Sequence, residues 1–271
     1  MSATIKIEIE VTSTEQSEIL IAELSEINFY AFEENEKHLS AFIKEENFKA
    51  ALLNNILPGN TPYTKSLIEE TNWNAKWESG FEPIIVEDFV AIRAAFHKPI
   101  PGVEHEIIIT PKMSFGTGHH ATTYLMLQQM QKLNFSGKKV LDFGTGTGIL
   151  AIMAKKLGAG KIMAIDNDEW SINNAKENFV ANECDDIVLQ QKDNLKDLDP
   201  FDIILTNINL NVIVSSVQQL VSISHNSSLL LLSGFLKPDE RTVIDTFTST
   251  GYEHVFTAEL NGWIAMLLNK S

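Results

Sequence analysis

Apolar and polar residues alternate from Thr4 to Val11, with Ile5, Ile7, Ile9 and Val11 on one side; this is the spacing of a strand buried on one face. Ser13 and Thr14 precede Glu15–Ile27, where Ile19, Leu20, Leu24 and Ile27 recur at helical spacing behind a hydroxyl suited to capping. Phe29–Glu33 and His38–Lys44 read as two strands joined at Glu34-Asn35-Glu36. Phe48–Leu57 reads as a helix stopped by Pro58-Gly59-Asn60, and Tyr63–Glu69 as a last strand. That order of elements predicts a small ferredoxin-like α+β domain over residues 1–70.

Trp73 and Trp77, four residues apart, predict a short linker helix at 71–80. Strands are predicted at Pro83–Ala94 and Glu106–Thr110 with a turn at Pro99–Gly102, then a helix at Thr122–Lys132. From Lys139 the pattern repeats. Strands at Lys139–Phe143, Lys161–Ile165, Ile187–Gln191, Phe201–Leu205 and Ser228–Leu232 alternate with helices at Ile149–Leu157, Glu169–Asn182, Leu210–Ser222 and Asp239–Thr248. Strands Tyr252–Leu260 and Trp263–Asn269 close the chain. Repeated strand–helix units predict an α/β domain over 81–271 with a mostly parallel, Rossmann-like sheet covered on both faces. Ligands of such sheets bind outside the carboxyl ends of the strands.

Composition narrows the class. At 271 residues and 44% hydrophobic, the chain has enough apolar material for a large core or two smaller ones. No apolar run approaches the roughly 18 residues of a membrane span, and Met1–Glu8 lacks a signal-peptide pattern. The single cysteine, Cys184, excludes an internal disulfide; with no base placed for it, it reads as a packed or surface thiol. A cytoplasmic setting and a monomer are expected. The formal charge of −15 opposes non-specific binding to nucleic acid and favours a basic partner. Residues 1–70 carry 5 Lys and no Arg against 13 Glu and no Asp, which is −8 of that total.

Within this frame, Val140-Leu-Asp-Phe-Gly-Thr-Gly-Thr-Gly-Ile149 predicts a buried strand, a tight glycine turn and a helix start. A dinucleotide fingerprint needs Gly or Ala at position 149; Ile149 stands there, and the third glycine comes one place early, at Gly148. At the end of the next strand, Asp166 can accept hydrogen bonds from both hydroxyls of a ribose, the alternative being a helix cap, for which Asp168 is better placed. Asp193, after the third strand, is either an acceptor for an adenine amino group or a solvated turn residue. The polar, glycine-rich segment Pro111–Thr123 feeds a helix. Its adjacent His119 and His120 lack a third ligand in sequence, so no metal site is predicted. Asn207 follows the fourth strand where amine and amide methyltransferases often carry Asn-Pro-Pro-aromatic; the prolines and the aromatic are missing, which counts against base-flipping chemistry.

Taken together, MSFGTGHHATT (Met113–Thr123), VLDFGTGTGILAI, AIDNDEWSINNAKEN, TNIN and LLSGFLKPDE resemble the PrmA family of bacterial methyltransferases, which act on protein eleven of the large ribosomal subunit. The likeness extends over most of the chain. It implies a class I S-adenosylmethionine (SAM) methyltransferase sheet whose last strand is antiparallel, preceded by a substrate-recognition domain. It also implies methylation of lysine ε-amines and an N-terminal α-amine, up to trimethylation. By motif position, SAM contacts are expected from Thr123, Gly144, Asp166 and Asn207, with Phe115 and His119 bordering the methyl-transfer site; Gly146 of the glycine turn and Asp193 at the end of the third strand are counted with the cofactor contacts from their place in the pattern. His119 either takes a proton or shapes the site. The expected partner is a basic ribosomal protein, with no direct reading of nucleic acid and no membrane. Three rivals compete: a nucleic-acid methyltransferase on the same fold, a nicotinamide oxidoreductase, and a non-catalytic SAM-binding module.

Overall fold

The computed structural model describes residues 4–34, 38–57, 61–68, 82–110 and 121–271. The chain divides into two compact units, Met1–Gly80 and Phe81–Ser271. The predicted linker helix at 71–80, with Trp73 and Trp77, lies outside the described residues.

The first unit runs β1 (Thr4–Glu10), α1 (Thr14–Glu26), β2 (Ala31–Glu34), β3 (His38–Lys44), α2 (Ala50–Ile56) and β4 (Tyr63–Ile68). Its sheet has the order β2-β3-β1-β4 with every neighbouring pair antiparallel, the ferredoxin-like arrangement. Ile5, Ile7 and Ile9 of β1 and Leu39, Ala41 and Ile43 of β3 bury one sheet face against Leu20, Leu24 and Leu53 of the helices. The period-two pattern of β1 thus becomes the core face. Ser13 caps α1 by accepting from the Gln16 N–H at 3.2 Å.

The second unit begins with β5 (Ile84–Val86), β6 (Val90–Ala94) and β7 (His105–Ile109), a small sheet in that order. The single strand expected at Pro83–Ala94 is two strands. They fold back at Glu87, which takes φ 52°, and pair Val86 with Val90. No glycine, proline or asparagine marks this turn; the only mark is an acidic pair, Glu87-Asp88, between two apolar runs. Helix α3 (Ala121–Met130) follows, then β8 (Lys139–Phe143), α4 (Ile149–Lys156), β9 (Lys161–Asp166), α5 (Glu169–Ala181), β10 (Val188–Gln191) and β11 (Phe201–Asn207). The chain ends with α6 (Leu210–Ser215), α7 (Val217–Ser222), β12 (Ser224–Leu236), α8 (Glu240–Thr248), β13 (Tyr252–Leu260) and β14 (Trp263–Lys270).

The large sheet has the order β10-β9-β8-β11-β12-β14-β13. Counted in chain order its strands read 3-2-1-4-5-7-6. All neighbours are parallel except at β14, which is antiparallel to both of its neighbours. Successive residues of each central strand feed opposite cores. Val140, Ile203 and Leu205 pack with α3, α4 and α5, whereas Leu141, Phe143 and Ile204 pack with α6, α7 and α8. Burial on both faces explains the near-continuous apolar strands.

Two further expectations are corrected. The helix expected at Leu210–Ser222 breaks at Ser216; the apolar stripe Ile213, Val217, Leu220 runs unbroken through the interruption, so periodicity does not reveal it. The strand expected at Ser228–Leu232 extends over Ser224–Leu236, with Ser233-Gly234 inside it at a bulge where the register with β14 shifts. Of its polar first residues, Ser224 pairs with the buried Phe201, and residues 225–227 are exposed where the register with β11 shifts before Ile203 meets Leu229.

One edge is closed by side chains. Asn182 accepts from Ile108 N–H (2.9 Å) and donates to Ile108 C=O (2.6 Å), and the fully buried Asn178 accepts from Thr110 N–H (2.8 Å) while donating to Thr147 C=O (2.8 Å). Helix α5 thereby supplies the partners that a further strand would give β7.

Candidate functional site

Strand order reverses between β8 and β11, so their carboxyl ends open the crevice in which ligands of such sheets bind. The glycine turn leaves β8 here. Gly144, Gly146 and Gly148 all take positive φ (77°, 54° and 81°), a backbone path that side chains would resist. The turn is pinned to the end of β9: the Ile165 carbonyl accepts from both Gly144 and Thr145 N–H at 2.9 Å. Asp166 Oδ2 accepts from Gly146 N–H at 2.9 Å, and its Oδ1 accepts from Asp168 N–H at 3.0 Å. Each Asp166 oxygen keeps a further lone pair, and the side chain is only half-buried. Asp168 caps α5 through Ser171 N–H at 2.9 Å, so the two acidic residues divide the roles of acceptor and cap.

Asp142 lies beneath the turn and carries chemistry that sequence reasoning did not assign to the site. It is fully buried in the apolar layer formed with Val140. Its Oδ2 accepts from Thr145 Oγ1 (2.6 Å) and Ala151 N–H (3.2 Å), while Oδ1 has no hydrogen-bond partner among the described residues. Burial pushes its carboxyl up from 3.8 to about 7; the Thr145 and Ala151 hydrogen bonds pull it back, and the nearby Asp166 charge raises it. The available signal was an acidic residue set among the apolar Val140, Leu141 and Phe143.

Across the reversal point, Thr206 Oγ1 donates to Phe143 C=O at 3.0 Å, tying the ends of β11 and β8 together. Asn207 is the last residue of β11, not the loop residue the sequence implied. Its Nδ2 donates to Thr123 Oγ1 of α3 at 3.3 Å, and its Oδ1 accepts nothing from the described residues. The structure therefore brings Thr123 and Asn207 together, and Gly144 and Gly146 with Asp166. Asp193 stands exposed beyond β10, accepting from the Asn194 side chain at 2.7 Å. Phe115 and His119 lie outside the described residues. Cys184 is buried, which raises its thiol above the usual range, so it is a packed thiol.

These groups fit a cationic nucleoside. The half-buried carboxylate of Asp166 suits ribose hydroxyls and positive charge, and the glycines of the turn, which carry no side chains, admit a ligand against its backbone. Fold and site together define a class I methyltransferase, whose methyl donor is SAM. Comparison with known proteins narrows this. The profile of the family described as ribosomal protein L11 methyltransferase (PrmA) matches residues 2–271. A ribosomal protein L11 methyltransferase from Porphyromonas gingivalis is 40% identical over 95% of this chain and 92% of its own length. One from Chlorobaculum tepidum is 37% identical over 93% and 91%. Among solved structures, the ribosomal protein L11 methylase of Lactobacillus delbrueckii subsp. bulgaricus superposes with a TM-score of 0.65 at 28% identity, over 70% of this chain and 100% of that one. A methyltransferase from Pyrococcus furiosus shares the fold, with a TM-score of 0.52 at 18% identity over 60% and 88%. The chain belongs to the ribosomal protein L11 methyltransferase family.

The buried carboxyl gives a pH test. Between pH 3.8 and about 7 the folded state holds a proton on Asp142 that the unfolded chain releases. The group's contribution to stability is therefore full below 3.8 and declines until the pH passes about 7. Asp142→Asn cannot ionise, so relative to it the parent should lose stability from about pH 4 to about pH 7 in denaturant unfolding. Parallel pH profiles for the two proteins would show that Asp142 does not titrate in this range.

Proposed function

We propose that the chain methylates ribosomal protein L11, at lysine ε-amines and the N-terminal α-amine, up to trimethylation. Family membership supports the coarse activity. The observation that carries the amine chemistry is the orientation of Asn207. With Nδ2 committed to Thr123, its Oδ1 is the atom left to accept a hydrogen bond from an incoming amine.

In this reading the turn at Gly144 and Gly146 takes the methionine and ribose portions against its backbone, Asp166 accepts from the ribose hydroxyls, and Asp193 meets the adenine amino group. Thr123 and Asn207 stand on the side of the reactive methyl group, and Phe115 and His119 border it. When bound, SAM would supply a methyl carbon on a cationic sulfur: the amine lone pair would form the C–N bond as the C–S bond breaks with its electron pair kept by sulfur, and in the first two transfers the new ammonium would release a proton to water. A lysine with a pKa of about 10.4 must arrive neutral, and a water-poor crevice favours that form. In the first two transfers Asn207 Oδ1 would then hold an N–H so that the lone pair points away from it, a positioning effect worth several kcal/mol in favourable cases; the dimethylamine of a third transfer has no N–H and would be placed by the walls of the crevice alone. The acidic first unit would draw a basic protein target to the enzyme by long-range attraction, acting on encounter rate and specificity.

Mass spectrometry of L11 incubated with the protein and SAM tests the whole reading: methyl groups should appear on lysines and on the N-terminal amine, and an unmodified L11 would sink it. A truncated protein beginning at Phe81 should bind SAM yet lose methylation of L11. Equal methylation by the truncated form would remove the recognition role of the first unit.

Asp166→Ala should weaken SAM binding by about 1–3 kcal/mol in calorimetry, through loss of a charge-assisted acceptor; unchanged affinity would remove it from the ribose site. Asn207→Ala should lower kcat much more than SAM affinity, the mark of an interaction made mainly in the transition state. Turnover at the parent rate would end the case for Asn207 as the residue that aims the amine.

A further inference from the structure

Ile208 sits between two glycines whose missing side chains it replaces. At Gly234, in the bulge of β12 with φ 101°, a Cβ would overlap the Ile208 carbonyl oxygen and lie 2.7 Å from its carbonyl carbon and 2.9 Å from its nitrogen. All three are main-chain atoms, which cannot swing aside. At Gly144, in the cofactor turn, a Cβ would overlap the Cγ2 methyl of Ile208. One residue of the acceptor segment is thus seated on β12 through its backbone and roofs the glycine turn with its side chain.

The bulge that makes the seat is itself held. The register of β12 with β14 passes from Ser233 opposite Ala265 to Phe235 opposite Ile264, skipping Gly234. Ser233 Oγ, fully buried, donates to Ile264 C=O at 2.7 Å, and Ser233 C=O accepts from Ile208 N–H at 3.2 Å. Asn207 pairs with Ser233 at the last rung of the parallel ladder, so the main chain on both sides of its side chain is set by β12.

We infer that Gly234 is a positioning residue for methyl transfer: its bare backbone receives Ile208 and so sets the direction of the Asn207 amide. Gly234 touches neither the cofactor turn nor the acceptor directly; it acts through Ile208. The inference rests on the proposed role of Asn207. It also accounts for a segment that works without the two prolines common at this place, because a conformation they would stiffen from within is imposed here from the neighbouring strand.

The test compares Gly234→Ala with Gly262→Ala in the full-length protein. Gly262 has a similar φ of 79°, but a Cβ there meets nothing within 4 Å, so both variants carry backbone strain and only the first pushes on Ile208. Gly234→Ala should lower kcat by about 100-fold, the scale of a misplacement near 1 Å, with SAM Kd and the KM for L11 within about threefold of the parent. Gly262→Ala should keep the parent kcat. A purely structural role for Gly234 would instead move melting temperature, SAM affinity and kcat together, and that result overturns the inference, as does an unchanged kcat. Adding Ile208→Ala to Gly234→Ala should restore nothing, since the obstacle is main chain; recovery would overturn the backbone seat. Should Gly234→Ala fail to fold, Ser233→Ala releases the bulge from Ile264 without adding bulk. A fall in kcat at unchanged SAM Kd then supports the seat, and a parental kcat overturns it. Asn207→Ala separates the two readings: if it turns over normally the amine-aiming role fails, whereas a fall there with normal Gly234→Ala turnover defeats only the seat.

Discussion

The site depends on the attachment of the glycine turn to the end of the neighbouring strand. Two turn N–H groups converge on the Ile165 carbonyl and a third on Asp166, so a segment with three left-handed residues is held by β9 and not by its own conformational preference. Asp142 fastens the same turn from below through Thr145 and the start of α4. A carboxyl group in that apolar layer is costly unless its oxygens are satisfied or it keeps its proton, and here one oxygen is satisfied while the other has no partner among the described residues. The turn is rigid at the expense of a buried acid whose ionisation the surroundings resist.

The rest of the large sheet supports that arrangement. Parallel strands buried on both faces leave their polar chemistry only at the carboxyl ends, where Asp166, Asn207 and the Ser233-Gly234 bulge stand on neighbouring or nearby strands. Thr206 and Ile208 link the fourth strand to β8 and the glycine turn, one by a hydrogen bond to Phe143 and the other by packing over Gly144. Asn178 and Asn182 extend the same logic outward, joining the end of β7 to the turn at Thr147 through buried amides whose hydrogen bonds are made.

Two breaks in the backbone, one at a non-glycine residue of positive φ and one inside an apolar helical stripe, mark the limits of pattern reading. Glu87 turns the chain between β5 and β6 without glycine, proline or asparagine, the lone Asp88 beside it being a weak signal. Ser216 breaks a helix whose apolar stripe continues past it, because the two short helices keep the same face toward the core. In both places the packed core decides the backbone, and the core is formed by residues distant in the chain.

The sequence by itself determined most of the element order, the antiparallel and the mostly parallel sheet and the glycine turn, because these follow from local periodicity and from residues with special backbone freedom. It also marked Asp166 and Asn207, since alternating strands and helices oblige the residues at strand ends to share one edge. Only the tertiary structure decided how the marked residues are held: that Asn207 spends its amide N–H on Thr123, that Asp166 already carries Gly146, and that Asp142 is buried with an unpaired oxygen. Gly234 belongs to this second group. A glycine after a serine reads as the end of a strand, and its use as a seat for Ile208 depends on two parallel strands brought side by side by a crossover. Contacts of that kind are set by register and packing across the sheet, which no local pattern of residues records.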